Sequence, residues 1–186
     1  MLTLIQTKRT DKRLLDKMKI HYSQPRGFVG RNICYAVMFN DIYFGHIVAG
    51  SATLHLPGRH DFLGTSKSQL NNIVNNIFFN VSPQPNSKYP VRNFTVKVIK
   101  VFVQYVVSDW NLKYGDEVLG LETLVEAPRT GELYLRAGWK KVGVTKGFTC
   151  KRIAGKSTDS WSGKRVWKKD PASLRPKNVL CYKIIN

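Results

Sequence analysis

Apolar and polar positions follow two different periods along the chain, and together they predict an α/β protein. The segments "NICYAVMF" (32–39) and "IYFGHIVAGSA" (42–52) are apolar runs typical of buried strands, with Asn40-Asp41 as the turn of a hairpin. Further strands are predicted at 77–81, 117–126, 139–152 (a strand or bent hairpin) and 178–185, and helices at 10–19 and 131–138. Because helices and strands alternate, we expect a central sheet with helices packed on it.

Two helix starts carry capping signals. Thr10 is a suitable N-cap for the helix 10–19, whose apolar side consists of Leu14, Leu15 and Met18. Farther along, Ser66 is followed three residues later by Gln69, which predicts a capping box at the start of a short helix.

Residues 94–107, "FTVKVIKVFVQYVV", fit both a strand and a helix. Their β-branched content favours a strand. The polar residues Lys97, Lys100 and Gln104, however, recur at spacings of three and four, which places them on one stripe of a helix. We therefore predict a buried helix with Asn93 as its N-cap.

Charge is the outlying feature of the composition. The 186 residues are 42% hydrophobic, which suits one domain spanning 1–186 with a real core. Against 12 acidic residues stand 30 basic ones, a net charge of +18, and residues 140–186 hold thirteen of the basic residues but only two acidic ones. Such an excess predicts a polyanionic partner, an anionic membrane or nucleic acid, and its size favours nucleic acid.

Several other classes of site are not expected. The three cysteines, Cys34, Cys150 and Cys181, lack C-x-x-C spacing and lie in apolar segments, so we expect free core thiols rather than disulfides or zinc ligands. His46, His55 and His60 have no ligand-like spacing to a pair of acids, so no metal site is predicted, although the imidazole of His21 has the chemistry of either a base or a metal ligand. The N-terminus lacks an apolar signal core, and no apolar run approaches the roughly 18 residues that span a bilayer. We therefore expect a cytoplasmic protein without membrane contact.

The segment "TGELYLRAGWKKVGVTKG" (130–147) contains the main candidate for chemistry. Its helix is predicted to bury Leu133 and Ala137 on one face, with the ring of Tyr134 packed beside them and its hydroxyl reaching the edge. Gly138 suits the left-handed position that ends a helix, and Trp139 begins the next strand. A phenol with its usual pKa near 10 is protonated at neutral pH and can donate to a developing anion.

The stretch "LYLRAGW" resembles the "LY-x-x-x-GF" signature of the GNAT acyltransferases. That resemblance implies a single GNAT-like domain with a central mixed sheet flanked by helices, and acetyl-CoA or another acyl or aminoacyl donor. It also implies that the Tyr134 hydroxyl points at the cofactor sulfur and protonates the leaving thiolate. The segment "PVRNFT" (90–95) departs from the pattern, since it has no glycine where these proteins carry a glycine-rich pyrophosphate loop.

The segments "HYSQPRGFVGR", "PVRNFTV" and "LETLVEAPRTGELYLRAGWKKVGVTKG", in this order before a basic tail, resemble the phage Mom DNA-modification proteins and the Druantia A-type proteins of anti-phage defence. Mom-like proteins convert the N6 amine of adenine in duplex DNA to a carbamoylmethyl form, which shields phage DNA from restriction. The resemblance implies that the catalytic residues are His21, Tyr22, Glu126 (or alternatively Glu122) and Tyr134. It further implies that Arg92, Asn93 and Thr95 bind the cofactor at a helix start.

A basic loop or flap at about 151–177 is the predicted DNA contact. Its basic side chains neutralise phosphates, and its tryptophans stack on a base or wedge into the duplex. These residues are Arg152, Lys156, Trp161, Lys164, Arg165, Trp167, Lys168 and Lys169. The leading hypothesis is a bacteriophage enzyme that modifies adenine N6 of double-stranded DNA, with base flipping to expose the amine. The alternatives are a non-catalytic DNA-binding component of a Druantia-type system and an N-acetyltransferase acting on a small amine.

Overall fold

The computed structural model describes residues 1–23, 25, 27–81, 93–147 and 174–185. Within these ranges the strands are β1 (Leu2–Thr7), β2 (Asn32–Phe39), β3 (Ile42–Ser51), β4 (Ile73–Val81), β5 (Gly120–Glu126), β6 (Lys140–Val144) and β7 (Lys177–Lys183). The α-helices are α1 (Lys12–Ile20), α2 (Arg59–Leu63), α3 (Phe94–Tyr114) and α4 (Glu132–Arg136), and a 3₁₀ helix spans Lys67–Asn72.

All seven strands pair in one mixed sheet, in the order β1-β2-β3-β4-β5-β7-β6. Neighbouring strands are antiparallel except β4 and β5, which run parallel and pair only from Ile73↔Gly120 to Asn75↔Glu122. Beyond this short ladder β4 continues to Val81 and β5 to Glu126 without pairing to each other within the described ranges. The predicted α/β architecture with a mixed sheet flanked by helices is confirmed.

Helix α3 covers one face of the sheet. Its residues Val98, Ile99, Phe102, Val106 and Trp110 are fully buried and join the main core cluster with the inward residues of the sheet. The stripe predicted to face solvent, Lys97, Lys100 and Gln104, is exposed. The helical interpretation of 94–107 is therefore confirmed, and the helix extends beyond the predicted segment to Tyr114.

Helix α1 packs on the opposite face. Leu14 and Met18 form a second buried cluster with Cys34, Val48 and Phe78, which are cross-strand neighbours on β2, β3 and β4. Successive strand residues point to opposite faces of a sheet, so this cluster and the α3 cluster sandwich it. Of the predicted apolar side of α1, Leu15 is the exception, since it is 40% exposed.

The hairpin between β2 and β3 is confirmed, and both turn residues have positive φ, 47° at Asn40 and 64° at Asp41. The N-cap of α1 is one residue later than predicted. Asp11 takes the place of Thr10 because its carboxylate accepts the backbone N–H of Arg13 at 2.8 Å.

Strand β4 begins at Ile73, four residues before the predicted segment 77–81. The prediction of a short helix in "TSKSQLNNIVNN" (65–76) is therefore wrong for its last four residues, because the amides of Asn75 and Asn76 are satisfied inside the sheet. Asn75 donates to the Thr53 hydroxyl, and Asn76 donates to two backbone carbonyls.

The capping box of Ser66 and Gln69 is present but begins a 3₁₀ helix. Strand β1 and helix α2 are additional elements that the sequence did not reveal.

Two further observations concern the chain as a whole. The described thiols, Cys34 and Cys181, are free and buried, as expected for core cysteines, whereas Cys150 lies outside the described residues. Among the helices that the structure describes, none combines the length and apolar character needed to cross a bilayer.

Candidate functional site

The separation of β4 from β5 produces a cleft of about 750 Å³. It is bordered by both diverging strands, the loop after α1, the connection from β5 to α4, and α4 itself. Where the strands part, the Thr123 hydroxyl donates to the backbone oxygen of Asn76 at 3.0 Å, so a side chain replaces the next rung of the ladder. The cleft therefore arises from the short parallel pairing, and it brings His21, Tyr22 and Tyr134 to one place.

The Tyr134 hydroxyl donates a hydrogen bond to Oδ1 of Asn76 at 2.5 Å. The amide of Asn76 is fixed in this orientation because its Nδ2 donates to the carbonyls of Val48 and Phe78, at 3.1 and 3.0 Å. Burial raises the pKa of Tyr134 well above 10, so the phenol keeps its proton at neutral pH.

The prediction for this helix needs a correction. Tyr134 itself is 8% exposed and forms the buried face of α4 with Ala137, whereas Leu133 is 37% exposed. Its ring packs edge-on against Phe79 and Trp139, and its hydroxyl is engaged by Asn76 instead of reaching a free edge. The expected helix end is confirmed, since Gly138 has a φ of 98°.

His21 and Tyr22 lie at the mouth of the cleft. The ring of His21 packs against Phe78, and its Nδ1 lies 2.8 Å from the Ser23 hydroxyl. Burial lowers the pKa of His21, and the nearby Arg129 guanidinium adds to this effect while a backbone hydrogen bond to Phe79 opposes it. The imidazole is therefore neutral at pH 7 and has the character of a base.

Arg129 is a site residue that sequence reasoning missed. Its guanidinium carbon lies 3.7 Å from the centre of the Tyr22 ring, a cation–π contact. Since Arg129 belongs to the connection from β5 to α4 and Tyr22 to the loop after α1, this contact joins the two sides of the cleft mouth. No pattern in the sequence distinguishes one arginine among 30 basic residues; only the packing does.

The structure separates the two candidate acids. Glu122 is fully buried, with Oε2 2.7 Å from Arg59 and Oε1 accepting the Thr53 N–H at 2.6 Å. Glu126, at the end of β5, lies 3.5 Å from Arg175 and 3.6 Å from Lys177. Among the described residues that border the cleft, neither carboxylate is present. Glu126 nevertheless acts on the mouth of the cleft: burial raises the pKa of Tyr22, and the charge of Glu126 adds to that rise while Arg129 opposes it.

The start of α3 has an unusual geometry. Asn93 occupies the predicted N-cap position, but with a φ of 66° and with its side chain accepting from Arg136 instead of a helix amide in the described part. Thr95 is half-buried in the first turn, and Arg92 lies outside the described residues. The first-turn amides of a helix and an adjacent guanidinium are groups that bind anions.

The predicted DNA contact lies almost entirely outside the described part of the chain. All eight DNA-binding candidates, from Arg152 to Lys169, lie outside the described residues, and so does most of the flap at 151–177. Within the described ranges, no group of three His, Cys, Asp or Glu side chains is arranged to hold a metal ion.

No protein-family model and no curated protein matches the chain. Among solved structures, a Bacillus subtilis acetyltransferase in complex with CoA has a TM-score of 0.59 at 12% identity, covering 100% of both chains. A GNAT family acetyltransferase from Elizabethkingia anophelis with acetyl-CoA bound gives 0.54 at 11%, covering 98% of each chain. An aminoglycoside acetyltransferase in complex with coenzyme A and kanamycin gives 0.54 at 12%, covering 98% of this chain and 95% of the other.

At these identities the likeness concerns architecture, and the resemblance to Mom-like and Druantia A-type proteins stays a prediction. The mixed seven-stranded sheet, divided between β4 and β5, is the fold of the GNAT acetyltransferases.

Proposed function

We propose that this protein is a group transferase that takes its group from a CoA-linked donor and attaches it to an amine of a DNA base. Adenine N6 is the expected position. The observation that carries the proposal is the cleft itself, where a protonated tyrosine and a neutral histidine border one cavity between the diverging strands of a GNAT fold.

The groups present suit a CoA thioester. The solved structures of this fold cited above were obtained with CoA or acetyl-CoA. In this chain the first turn of α3 and Arg136 would hold the negatively charged diphosphate, and the cleft would hold the thioester end. Arg136 offers a cationic contact in a chain whose "PVRNFT" segment lacks the usual glycines.

Two side chains divide the proton transfers. The donor supplies an activated acyl group, whose transfer breaks the carbon–sulfur bond and forms a bond to the amine nitrogen. Tyr134 holds a proton at its hydroxyl, in a hydrogen bond to Asn76, and would donate that proton to the departing sulfur. The neutral ring of His21 accepts the proton that the amine loses on bond formation. Tyr22 and Arg129 at the mouth offer surfaces on which a flipped base stacks.

Charge favours a nucleic-acid acceptor. The chain carries +18, and the described cations Arg129 and Lys177 border the cleft. This field attracts a polyanion and repels a polyamine.

Protection of phage DNA from restriction is the role that the Mom-like resemblance implies. The carbamoylmethyl group of that resemblance contains a nitrogen that an acetyl group lacks, so the mass of the product distinguishes it from acetyl transfer.

The second candidate is an N-acetyltransferase for a small amine. It is favoured by solved structures of the same fold, which include the aminoglycoside acetyltransferase with kanamycin and a spermidine N-acetyltransferase chimera (TM-score 0.54, 11% identity). A third candidate, a non-catalytic DNA-binding role, is compatible with the charge. It does not explain why Tyr134 and His21 border the same cleft.

Thiol release by the purified protein separates the three. We would mix it with acetyl-CoA and either duplex DNA, spermidine or no acceptor, and follow free thiol. The proposal predicts release that depends on duplex DNA and weakens with added salt. Release with spermidine alone would establish the second candidate. DNA binding without thiol release, and without CoA binding, would establish the third.

A further inference from the structure

A second cavity, of about 490 Å³, lies beside β1 and β2, the strands at one edge of the sheet. It is bordered by the end of β1, the turn that follows it, the start of β2 and the last turn of α3. This cavity and the cleft have no bordering residue in common, and strand β3 lies between β2 and β4. The two cavities are therefore separate, and the proposed function gives no role to this one.

Three cations border this second cavity. Lys8 and Arg9 come from the turn after β1, and Lys113 comes from α3. Among the described residues of its lining there is no carboxylate. Lys8 and Arg9 form no ion pair within the described ranges, while Lys113 donates to the neutral Asn32 carbonyl at 3.0 Å.

The nearby acids are already paired. Asp116 is bound to Arg31, and Asp11 lies 3.0 Å from Arg13. Asp109 accepts the hydroxyl of Tyr35 at 2.9 Å. Asp116 and Asp11 therefore pair with other cations and Asp109 with a neutral hydroxyl, so within the described ranges no ion pair joins these carboxylates to the cations of the cavity.

Arg9 and Lys113 border the same cavity as Cys34. Burial raises the pKa of the Cys34 thiol to about 11; the charges of Lys113 and Arg9 oppose that rise, and the charge of Asp11 adds to it. Cys34 itself borders the cavity, so the two cations face the same concave wall from separate segments of the chain. Like charges held around a concavity repel each other, and a bound anion removes that repulsion.

We propose that this second cavity binds a phosphate group. A guanidinium fork with two ammonium groups suits the several oxygens of a phosphate, and Thr7, Thr10 and Gln6 add neutral donors to the same lining. Lys113 also offsets the negative end of the α3 dipole, so Lys8 and Arg9 provide most of the binding charge. The phosphate belongs either to the DNA backbone or to a free phosphate species, and the proposal does not depend on transferase activity.

The test replaces the two unpaired cations together, as Lys8→Gln with Arg9→Gln. Lys97→Gln with Lys100→Gln is the control, because it removes the same charge from the exposed stripe of α3. Both pairs consist of exposed side chains, so equal thermal unfolding midpoints confirm that the variants are folded. Two quantities are measured: the salt dependence of duplex binding by fluorescence anisotropy, and the binding of inorganic phosphate by phosphorus NMR.

If the phosphate is in the DNA backbone, the double variant lowers the slope of log K against log salt by about 0.9 per lost contact, and the control changes it less. If it is a free phosphate species, the variant loses inorganic phosphate binding while its duplex slope matches the wild type. The proposal is overturned if both quantities match the wild type, or if the control changes them as much as the variant does.

Discussion

At the scale of single residues, Asn76 determines what Tyr134 can do. Its amide is held by the carbonyls of Val48 and Phe78, so its oxygen is the acceptor that remains for the phenol. The phenol is thereby stored in its protonated form beside the cleft. This arrangement supports a role as an acid, which donates a proton, and opposes a role as a base.

We expect Tyr134→Phe to lower thiol release by roughly 10²–10⁴-fold, the range that general acid catalysis contributes. The variant also leaves a buried Asn76 oxygen unpaired, which costs about 1–3 kcal/mol of the free energy of unfolding. Tyr105→Phe is the matched control, since Tyr105 is 37% exposed on α3. Equal rates for Tyr134→Phe and wild type, measured at saturating donor, would remove Tyr134 from the mechanism.

The two glutamates of β5 should respond in opposite ways. Glu122→Gln leaves the buried Arg59 guanidinium without its counter-charge, which costs about 3–5 kcal/mol of the free energy of unfolding. Glu126→Gln should leave stability within about 0.5 kcal/mol, since its ion pairs are longer and partly exposed, and should lower turnover because it removes a charge that acts on Tyr22 at the mouth of the cleft. Urea unfolding and thiol release measure the two effects. Wild-type turnover in Glu126→Gln would leave no acid of β5 in the mechanism.

The burial of His46 predicts how the free energy of unfolding depends on pH. It is fully buried, with Nδ1 2.6 Å from the Tyr43 hydroxyl, and burial lowers its pKa from 6.5 to about 4. Arg13 and Lys17 lower this pKa further, while Asp11 opposes them. Between these two values the unfolded chain binds the proton and the folded chain does not.

The contribution of neutral His46 to the free energy of unfolding is therefore complete above pH 6.5. It is lost as the pH falls toward 4, and the total loss is about 3 kcal/mol. Urea unfolding between pH 4 and 7.5 should show a shallower dependence for His46→Gln than for the wild type. His55→Gln, at an exposed position, should keep the wild-type dependence. Identical pH profiles for wild type and His46→Gln would contradict this assignment.

At the scale of elements, patterns that depend on neighbours in sequence were predictable. The hairpin turn at Asn40-Asp41, the helix from Phe94 and the helix end at Gly138 all follow from local chemistry. What the sequence did not reveal depends on contacts between distant segments. The start of β4 at Ile73 is an example, because it requires Asn75 and Asn76 to find partners in β3 and the following loop.

The same distinction holds for the site. Tyr134 was predicted from a local motif, whereas Arg129 became visible only through its contact with Tyr22, more than a hundred residues away. The burial of Glu122 likewise depends on Arg59, which lies in a helix that no pattern predicted.

The substitution Gly45→Ala tests whether the shape of the cleft depends on the register of β3 and β4. It has a φ of 149°, and a Cβ there would lie 2.8 Å from Cα of Val81 and closer still to the Asn80 carbonyl. Gly45→Ala should therefore push apart the strand ends beside the cleft, costing about 1–3 kcal/mol of the free energy of unfolding and lowering thiol release.

Gly115→Ala is the control for this change. Gly115 also has a positive φ, 73°, but its Cβ would meet open space at the end of α3. It should lose stability, by about 1–2 kcal/mol, without losing activity at a temperature where both variants are folded. Full activity in Gly45→Ala would show that the cleft does not depend on this register.

At the scale of the whole molecule, fold and charge lead to different parts of the proposal. The fold supports a CoA-linked donor, and it is shared with an aminoglycoside acetyltransferase and a spermidine N-acetyltransferase chimera. The net charge of +18 supports a polyanionic acceptor instead. A DNA base amine satisfies both, because it places an amine inside a polyanion.

The most direct measurement is mass spectrometry of nucleosides from the DNA of cells that express the protein. The account predicts a deoxyadenosine of increased mass with the wild-type chain and with Tyr105→Phe, and its loss with Tyr134→Phe. Unmodified deoxyadenosine in cells that contain folded, DNA-binding wild-type protein would contradict the claim that this cleft modifies DNA.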